Sequence, residues 1–175
     1  MRSYMEFEVS GLLSRKVILP DNLPGSLYLH PMPGRYEDIS TFVFEIEKRD
    51  IQTIICLPSS DEIACISPEY INLINDEKRT FTIDLFPISD FGVPDKPDAF
   101  LKLAKKYAEY LKKGESILVH CRMGIGRTGL FGVVLLMAAG IPRIDAEDMI
   151  RNAGAGPQTR AQKDLLLWAE HALKE

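Results

Sequence analysis

Residues 116–129, Ser-Ile-Leu-Val-His-Cys-Arg-Met-Gly-Ile-Gly-Arg-Thr-Gly, pass from an apolar strand through a glycine-bearing loop into an apolar helix. Ile117 to Val119 predicts the strand, His120 and Cys121 sit at its end, and Arg127 and Thr128 close the loop. A thiol is thereby placed at a helix N-terminus, with a guanidinium six residues further on. Helix N-termini and neighbouring cations both favour thiolate over thiol. Arg122, Met123, Gly124, Ile125, Gly126 and Arg127 can turn their N–H groups inward as an anion-binding nest. Gly124, Gly126 and Gly129 supply the backbone angles and close approach that such a turn needs. Arg127 can donate two parallel hydrogen bonds to phosphate oxygens, a fork that lysine cannot reproduce. The Thr128 hydroxyl is expected to donate to the sulfur and stabilise it as a leaving group. His120 is expected to orient the loop through hydrogen bonds without transferring protons itself. The whole suits a tetrahedral dianion held beside a nucleophile.

Two rival explanations bear on the same residues. A lone cysteine is ordinarily a small buried hydrophobe, but the strand-end position, the glycines and Arg127-Thr128 argue for more. Gly124-Ile125-Gly126-Arg127-Thr128-Gly129 also matches the GxGxxG turn of dinucleotide-binding folds. That motif requires a second strand ending in an acidic residue about 20 positions on. Asp145, Glu147 and Asp148 instead fall in a helical pattern after Pro142. The phosphate loop of nucleotide hydrolases is absent too, since no Gly-Lys-Ser/Thr occurs.

Around this segment the chain alternates strands and helices. Ser26–His30, Ile51–Leu57, Thr80–Phe86 and Ile117–Val119 predict strands; Glu37–Arg49, Pro68–Lys78, Pro97–Lys113, Leu130–Ala139, Ala146–Asn152 and Arg160–Leu173 predict helices. Ser59–Pro68 and Met32–Tyr36 read as loops. Such alternation implies a three-layer α/β fold, a mostly parallel central sheet flanked by helices on both faces. Ligands of these sheets bind beyond the carboxyl ends of the strands, where Cys121 lies. We expect a single domain over 1–175. Within it, 1–25 is an edge strand or extended lead-in with apolar runs Phe7–Val9 and Val17–Leu19, and 26–175 is the core.

Composition narrows the setting. Of 175 residues, 46% are hydrophobic and 26% charged, ordinary for a soluble globular chain long enough to bury its own core. The 21 basic and 25 acidic residues give a net charge of −4, so neither nucleic acid nor an anionic membrane is an expected partner. Three scattered cysteines without a CxxC pair indicate neither a disulfide framework nor zinc. Glu6 and Glu8 interrupt the N-terminal apolar run, which argues against a signal peptide. The uncharged stretch Thr128–Pro142 has 15 residues, whereas a membrane span needs roughly 20. A monomer in the cytoplasm is the expectation.

His120-Cys121, five residues, then Arg127-Thr128 resembles the signature of the protein tyrosine phosphatase superfamily. The chain resembles its small dual-specificity and kinase-associated-phosphatase-like branch. Pro87-Ile88-Ser89-Asp90-Phe91-Gly92-Val93-Pro94-Asp95 resembles the acid loop of that branch, and Gly156-Pro157-Gln158-Thr159 resembles its glutamine loop. Leu29-His30-Pro31-Met32-Pro33-Gly34 and the strand Thr53–Cys56 extend the likeness to residues 25–173. The resemblance implies that Cys121 attacks phosphorus to form a phosphocysteine, that Asp90 protonates the departing oxygen, and that Gln158 positions the hydrolytic water. It also implies a phosphorylated protein as substrate and no cofactor. No metal is needed, because the loop N–H groups and Arg127 already stabilise the developing charge.

Asp90 has two competitors. Asp95 precedes Lys96-Pro97 and suits a helix cap or first-turn acid, and Asp84 lies inside a strand. Phe91-Gly92 after Asp90 suits the mobility of an acid-delivering loop. The resemblance further suggests a reversible Cys56–Cys121 disulfide, against the plain alternative of a buried strand cysteine. One departure stands out: the family's arginine before the glycine-rich turn is displaced here to Arg151 in Arg151-Asn152-Ala153-Gly154. Arg122 alone adds charge among the loop's variable positions, so phosphoinositides are less natural substrates than phosphotyrosine, phosphoserine or phosphothreonine. A phosphate-binding protein without turnover is the alternative of a different class.

Overall fold

The computed structural model describes residues 13–175, so the expected apolar run Phe7–Val9 lies outside the described residues. Five strands form one sheet: β1 (Arg15–Lys16), β2 (Ser26–His30), β3 (Thr53–Cys56), β4 (Thr82–Leu85) and β5 (Ser116–His120). Their order is β1-β2-β5-β3-β4, with β1 antiparallel to β2 and the remaining pairs parallel. Among the described residues the complete helices are α1 (Ile39–Lys48), α2 (Ser60–Ile66), α3 (Pro68–Asn75), α4 (Pro97–Lys112), α5 (Gly126–Ala138), α6 (Arg143–Asn152) and α7 (Arg160–Ala172). The expected α/β fold with a mostly parallel sheet is what forms.

Strand alternation sorts the core into two faces. Leu27, Leu29, Ile55, Ile117 and Val119 pack with residues of α4, α5, α6 and α7. Ile54, Cys56, Ile83 and Leu118 face the other way, against Phe42, Ile46, Ile63, Tyr70 and Leu73 of α1, α2 and α3. Successive side chains in a strand point to opposite faces, so the inner strands β3 and β5 serve both layers and are buried nearly throughout, whereas the edge strand β4 buries only Ile83. β5 lies between β2 and β3 at the centre, and α5 follows it into the core. Leu130, Phe131, Val133, Val134, Leu135 and Leu136 of α5 are all fully buried, each worth about 1.5–3 kcal/mol of transfer free energy. The loop between β5 and α5 is therefore clamped at both ends.

Three expectations need correction. The segment Ser59–Pro68 is not a loop but carries α2, started by the Ser59 side chain accepting from the Glu62 N–H at 3.2 Å. The Ser59-Ser60-Asp61-Glu62 spacing is that of a capping box, masked in the sequence by Pro58 and the paired serines. The helix starting at Pro68 ends at Asn75, before Lys78. Asp95 does not cap α4 either: Lys96 occupies that position without a side-chain bond. Among the described residues, no helix is long and apolar enough to cross a membrane.

Candidate active site

Parallel strands deliver their carboxyl ends to one edge of the sheet. β2 there leads to the Pro31–Glu37 turn, β3 to α2, β4 to the Asp90 segment, and β5 to the cysteine loop. Residues distant in sequence thus converge on Cys121. Among the described residues, a cavity of about 260 Å³ is lined by Cys121, Arg127, Asp90 and Gln158, with exposed Phe91 and Met123 beside them.

α5 begins at Gly126, earlier than the sequence suggests, so Arg127 and Thr128 lie in its first turn. Ile125 precedes the helix without a side-chain cap, which leaves the first-turn N–H groups free for an anion. Gly124 takes φ +71°, and any Cβ there would strike the carbonyl of His30; only glycine fits. At Gly126 a Cβ would coincide with the Gln158 side-chain oxygen, so the Gln158 amide lies directly on the cysteine loop.

Arg127 is the most constrained side chain of the site. It is 1% exposed. Its Nη1 donates to Glu62 Oε2 (2.8 Å) and the Ile88 carbonyl (2.9 Å), and its Nη2 to Glu62 Oε1 (2.7 Å) and Asp90 Oδ1 (3.0 Å). Burial opposes its charge, but the Glu62 hydrogen bonds and the charges of Cys121, Glu62 and Asp90 outweigh that and raise its pKa. Asp90 also accepts from the Phe91 N–H at 3.1 Å, and the Arg122 guanidinium stands 3.9 Å away. Phe91 holds φ +59°, a left-handed geometry unusual for a bulky residue.

His120 is buried and neutral. Its Nε2 accepts from the Tyr70 hydroxyl at 2.8 Å, and its Nδ1 donates to the Cys121 carbonyl at 3.2 Å. Burial drives its pKa down to about 3. The two hydrogen bonds fix the ring between β5 and the Tyr70 hydroxyl at the start of the cysteine loop. The Tyr70 hydroxyl also pairs with Cys56, whose pKa burial pushes up to about 12. Cys56 sits beside His120 in the β3–β5 register, as the sequence suggests, and it is a free thiol. Thr128 departs from expectation: its hydroxyl is buried without a hydrogen-bond partner among the described residues, so the anticipated donation to the sulfur is not made.

A family model described as protein-tyrosine phosphatase matches residues 70–167, more than half of the chain. The chain belongs to the protein-tyrosine phosphatase family. It is 29% identical over 125 residues to tyrosine-protein phosphatase Lar of Drosophila melanogaster, covering 68% of this chain and 6% of that protein. It is 25% identical over 129 residues to tyrosine-protein phosphatase 1 of Caenorhabditis elegans, covering 71% and 12%. The match therefore spans only a small part of these curated relatives. Among solved structures, a kinase associated phosphatase with serine for its catalytic-site cysteine superposes with a TM-score of 0.76 at 21% identity, covering 92% of this chain and 95% of that one. Tk-PTP in its active form gives 0.68 at 24% identity, covering 90% and 97%.

Within this phosphatase fold, Asp84 and Asp90 have separate surroundings. Asp84 accepts from the Tyr107 hydroxyl at 2.7 Å and pairs with Lys106 at 3.3 Å on the β4–α4 side. Asp95 does not line the cysteine cavity, whereas Asp90 does. Two further residues escaped the sequence argument. Glu62 grips Arg127 from α2, and Gln162 joins two loops: its Oε1 accepts from the Gln158 N–H (2.8 Å) and its Nε2 donates to the Gly92 carbonyl (2.9 Å). Thr159 capping the Gln162 N–H at 3.2 Å starts α7 at this point. The Thr159-x-x-Gln162 box was legible, but its link to the Asp90 segment was not.

Proposed function

We propose that this chain is a metal-independent protein phosphatase that hydrolyses phosphotyrosine, with phosphoserine and phosphothreonine as further substrates, through a phosphocysteine intermediate. The observation that carries this reading is Arg127 joined at once to Glu62 and Asp90 in the cavity that holds Cys121. All four Nη hydrogens of Arg127 are engaged, and one of them is lent to Asp90. An incoming phosphoryl group takes that Nη2 donor together with Nε–H as a planar fork. Asp90 is thereby released towards the leaving oxygen.

Cys121 Sγ then attacks phosphorus as the P–O bond to the substrate breaks, and Asp90 gives its proton to that oxygen. The loop N–H groups and Arg127 hold the charge that gathers on the three equatorial oxygens. In the second step water attacks phosphorus, the P–S bond breaks, and Asp90 takes the proton. Gln158, lying on Gly126, is placed to orient that water. Inorganic phosphate leaves and the thiolate is restored. The exposed Phe91 and Met123 provide apolar contact for an aromatic leaving group, which favours phosphotyrosine. The three cysteines are free, which suits a reducing compartment, so the cytoplasm is the proposed location. Each chain holds a complete site, so a monomer suffices.

Hydrolysis of p-nitrophenyl phosphate in the presence of EDTA tests the reading. Wild type should turn over, and Cys121→Ser should lower kcat by at least about 10⁴-fold. A folded wild type without turnover would leave a phosphate-binding protein instead. A peptide panel of tyrosine, serine and threonine phosphoesters tests the substrate class.

A further inference from the structure

Two loops meet behind the cysteine cradle, and a side chain from outside both ties them together. Arg15 lies in β1, a strand of two residues at the antiparallel edge of the sheet. Its Nη1 donates to the carbonyls of Ala153 (3.2 Å) and Gly154 (2.9 Å), in the turn leading to Gln158. Its Nη2 donates to the carbonyl of Gly124, inside the cysteine loop. Arg151, whose position in the sequence suggested a cation on this side, turns away and pairs with Asp148 at 2.5 Å on the surface.

The Gly124 bond has a consequence for anion binding. In a trans peptide the C=O of one residue and the N–H of the next point in opposite directions. A Gly124 carbonyl drawn outward to Arg15 therefore aims the Ile125 N–H to the loop's concave side. The Arg122 carbonyl is pinned similarly, by the Met32 N–H at 3.1 Å and Arg35 Nη1 at 3.3 Å, which turns the Met123 N–H inward. Gly124 leaves no space between loop and guanidinium, since a Cβ there would meet Arg15 Nη2 as well as the His30 carbonyl. Burial lowers the pKa of Arg15, while the charge of Cys121 acts in the opposite direction; the guanidinium is thus within electrostatic reach of the sulfur.

We propose that Arg15 is a positioning residue of the oxyanion cradle, fixing the Gly124 peptide and the Ala153–Gly154 turn together, so that the edge strand β1 sets the affinity of the site for a phosphate-like oxyanion. A lysine cannot replace it, because one ammonium cannot reach carbonyls on two loops with the geometry of a planar fork.

Arg15's role rests on the cavity being an oxyanion site, and measuring binding apart from turnover separates the two. Inorganic tungstate is titrated calorimetrically into the full chain carrying Cys121→Ser, with Arg15, Arg15→Lys or Arg15→Ala, at a temperature where circular dichroism shows each to be folded. Arg15→Lys, which keeps stem and charge, should raise the tungstate Kd by about tenfold, the equivalent of one well-placed hydrogen bond. Arg15→Ala should raise it further. In the active chain the same substitutions should lower kcat/KM for p-nitrophenyl phosphate in parallel. Tungstate affinity within twofold of the parent in a folded Arg15→Lys chain would overturn the role of Arg15 while leaving the phosphatase reading intact. A parent that binds no tungstate would overturn both.

Discussion

The cysteine loop and the Asp90 segment face each other across one cavity and are held in opposite ways. Cys121 is 2% exposed and Arg127 1%, and the loop is fixed by Gln158, Arg15, Arg35, His120 and the buried helix α5. The Asp90 side chain is 39% exposed, Phe91 is 59% exposed at φ +59°, and the segment is held by the Arg127 contact, the Ser89–Gly92 turn and the single Gln162 bond to Gly92. Burial on one side and exposure on the other match the two tasks. A nucleophile and its oxyanion cradle gain from being arranged before the reaction, since no reorganisation then burdens the barrier. An acid that serves a leaving group must admit it and release it, so its loop has to move.

Among substitutions that leave the nucleophile in place, the largest effect should come from the movable side. Asp90→Asn should lower kcat by about 10²-fold or more and flatten the basic limb of the pH–rate profile. Tungstate affinity in the same variant should hold or rise, because the charge competing for Arg127 Nη2 is gone. That split between turnover and binding would separate the two regions cleanly. Unchanged kcat would move the acid to Asp95 and break the comparison.

Next is the clamp on the rigid side. Glu62→Gln strips a buried guanidinium of its two-oxygen carboxylate partner and leaves only the single Asp90 carboxylate contact, and the loss should be about 3 kcal/mol in urea unfolding. kcat/KM should fall as well, since the Arg127 fork is then free to turn. A stability change below about 0.5 kcal/mol, the size of an ordinary surface substitution, would mean that Ile88 and Asp90 hold Arg127 without α2.

The smallest effect per unit of condition is acid sensitivity through His120. Its folded pKa is about 3 against an ordinary 6.5. Below pH 6.5 the unfolded chain takes up a proton that the folded chain refuses until about pH 3. The stability due to neutral His120 is therefore complete above pH 6.5 and is lost as pH falls through this window. Its slope is at most about 1.4 kcal/mol per pH unit. Urea melts at pH 7, 5.5 and 4.5 should show that slope, and His120→Asn should be shallower over the same range. Equal slopes would show that other groups carry the acid response.

Much of this was open to reading in one dimension because local chemistry fixes it. The run from Ile117 through Thr128 must be strand, nest and helix start, since its apolar residues, glycines and arginine satisfy no other arrangement so well. Asp90 and Gln158 were legible only through the resemblance of their short loops to the family's acid and glutamine loops. Glu62 was not, although its capping box was present: the Ser59–Glu62 spacing announces a helix and says nothing of what the helix faces. Gln162 was hidden for the same reason. Thr128 shows the reverse failure: its hydroxyl at the close of the cysteine loop suggested a bond to the sulfur that the first turn of α5 does not form.

The strand–glycine loop–helix run around Cys121 and the alternation that makes a parallel sheet are legible in the chain alone, because they depend on neighbours within a few residues. Folding alone selects which distant side chains gather around Cys121. The parallel register brings the ends of β2, β3, β4 and β5 to one edge, so that Glu62, Asp90 and Gln158 meet Cys121 there. The antiparallel edge strand then carries Arg15 behind the loop. Such contacts arise from strand order and packing, and no local pattern encodes them.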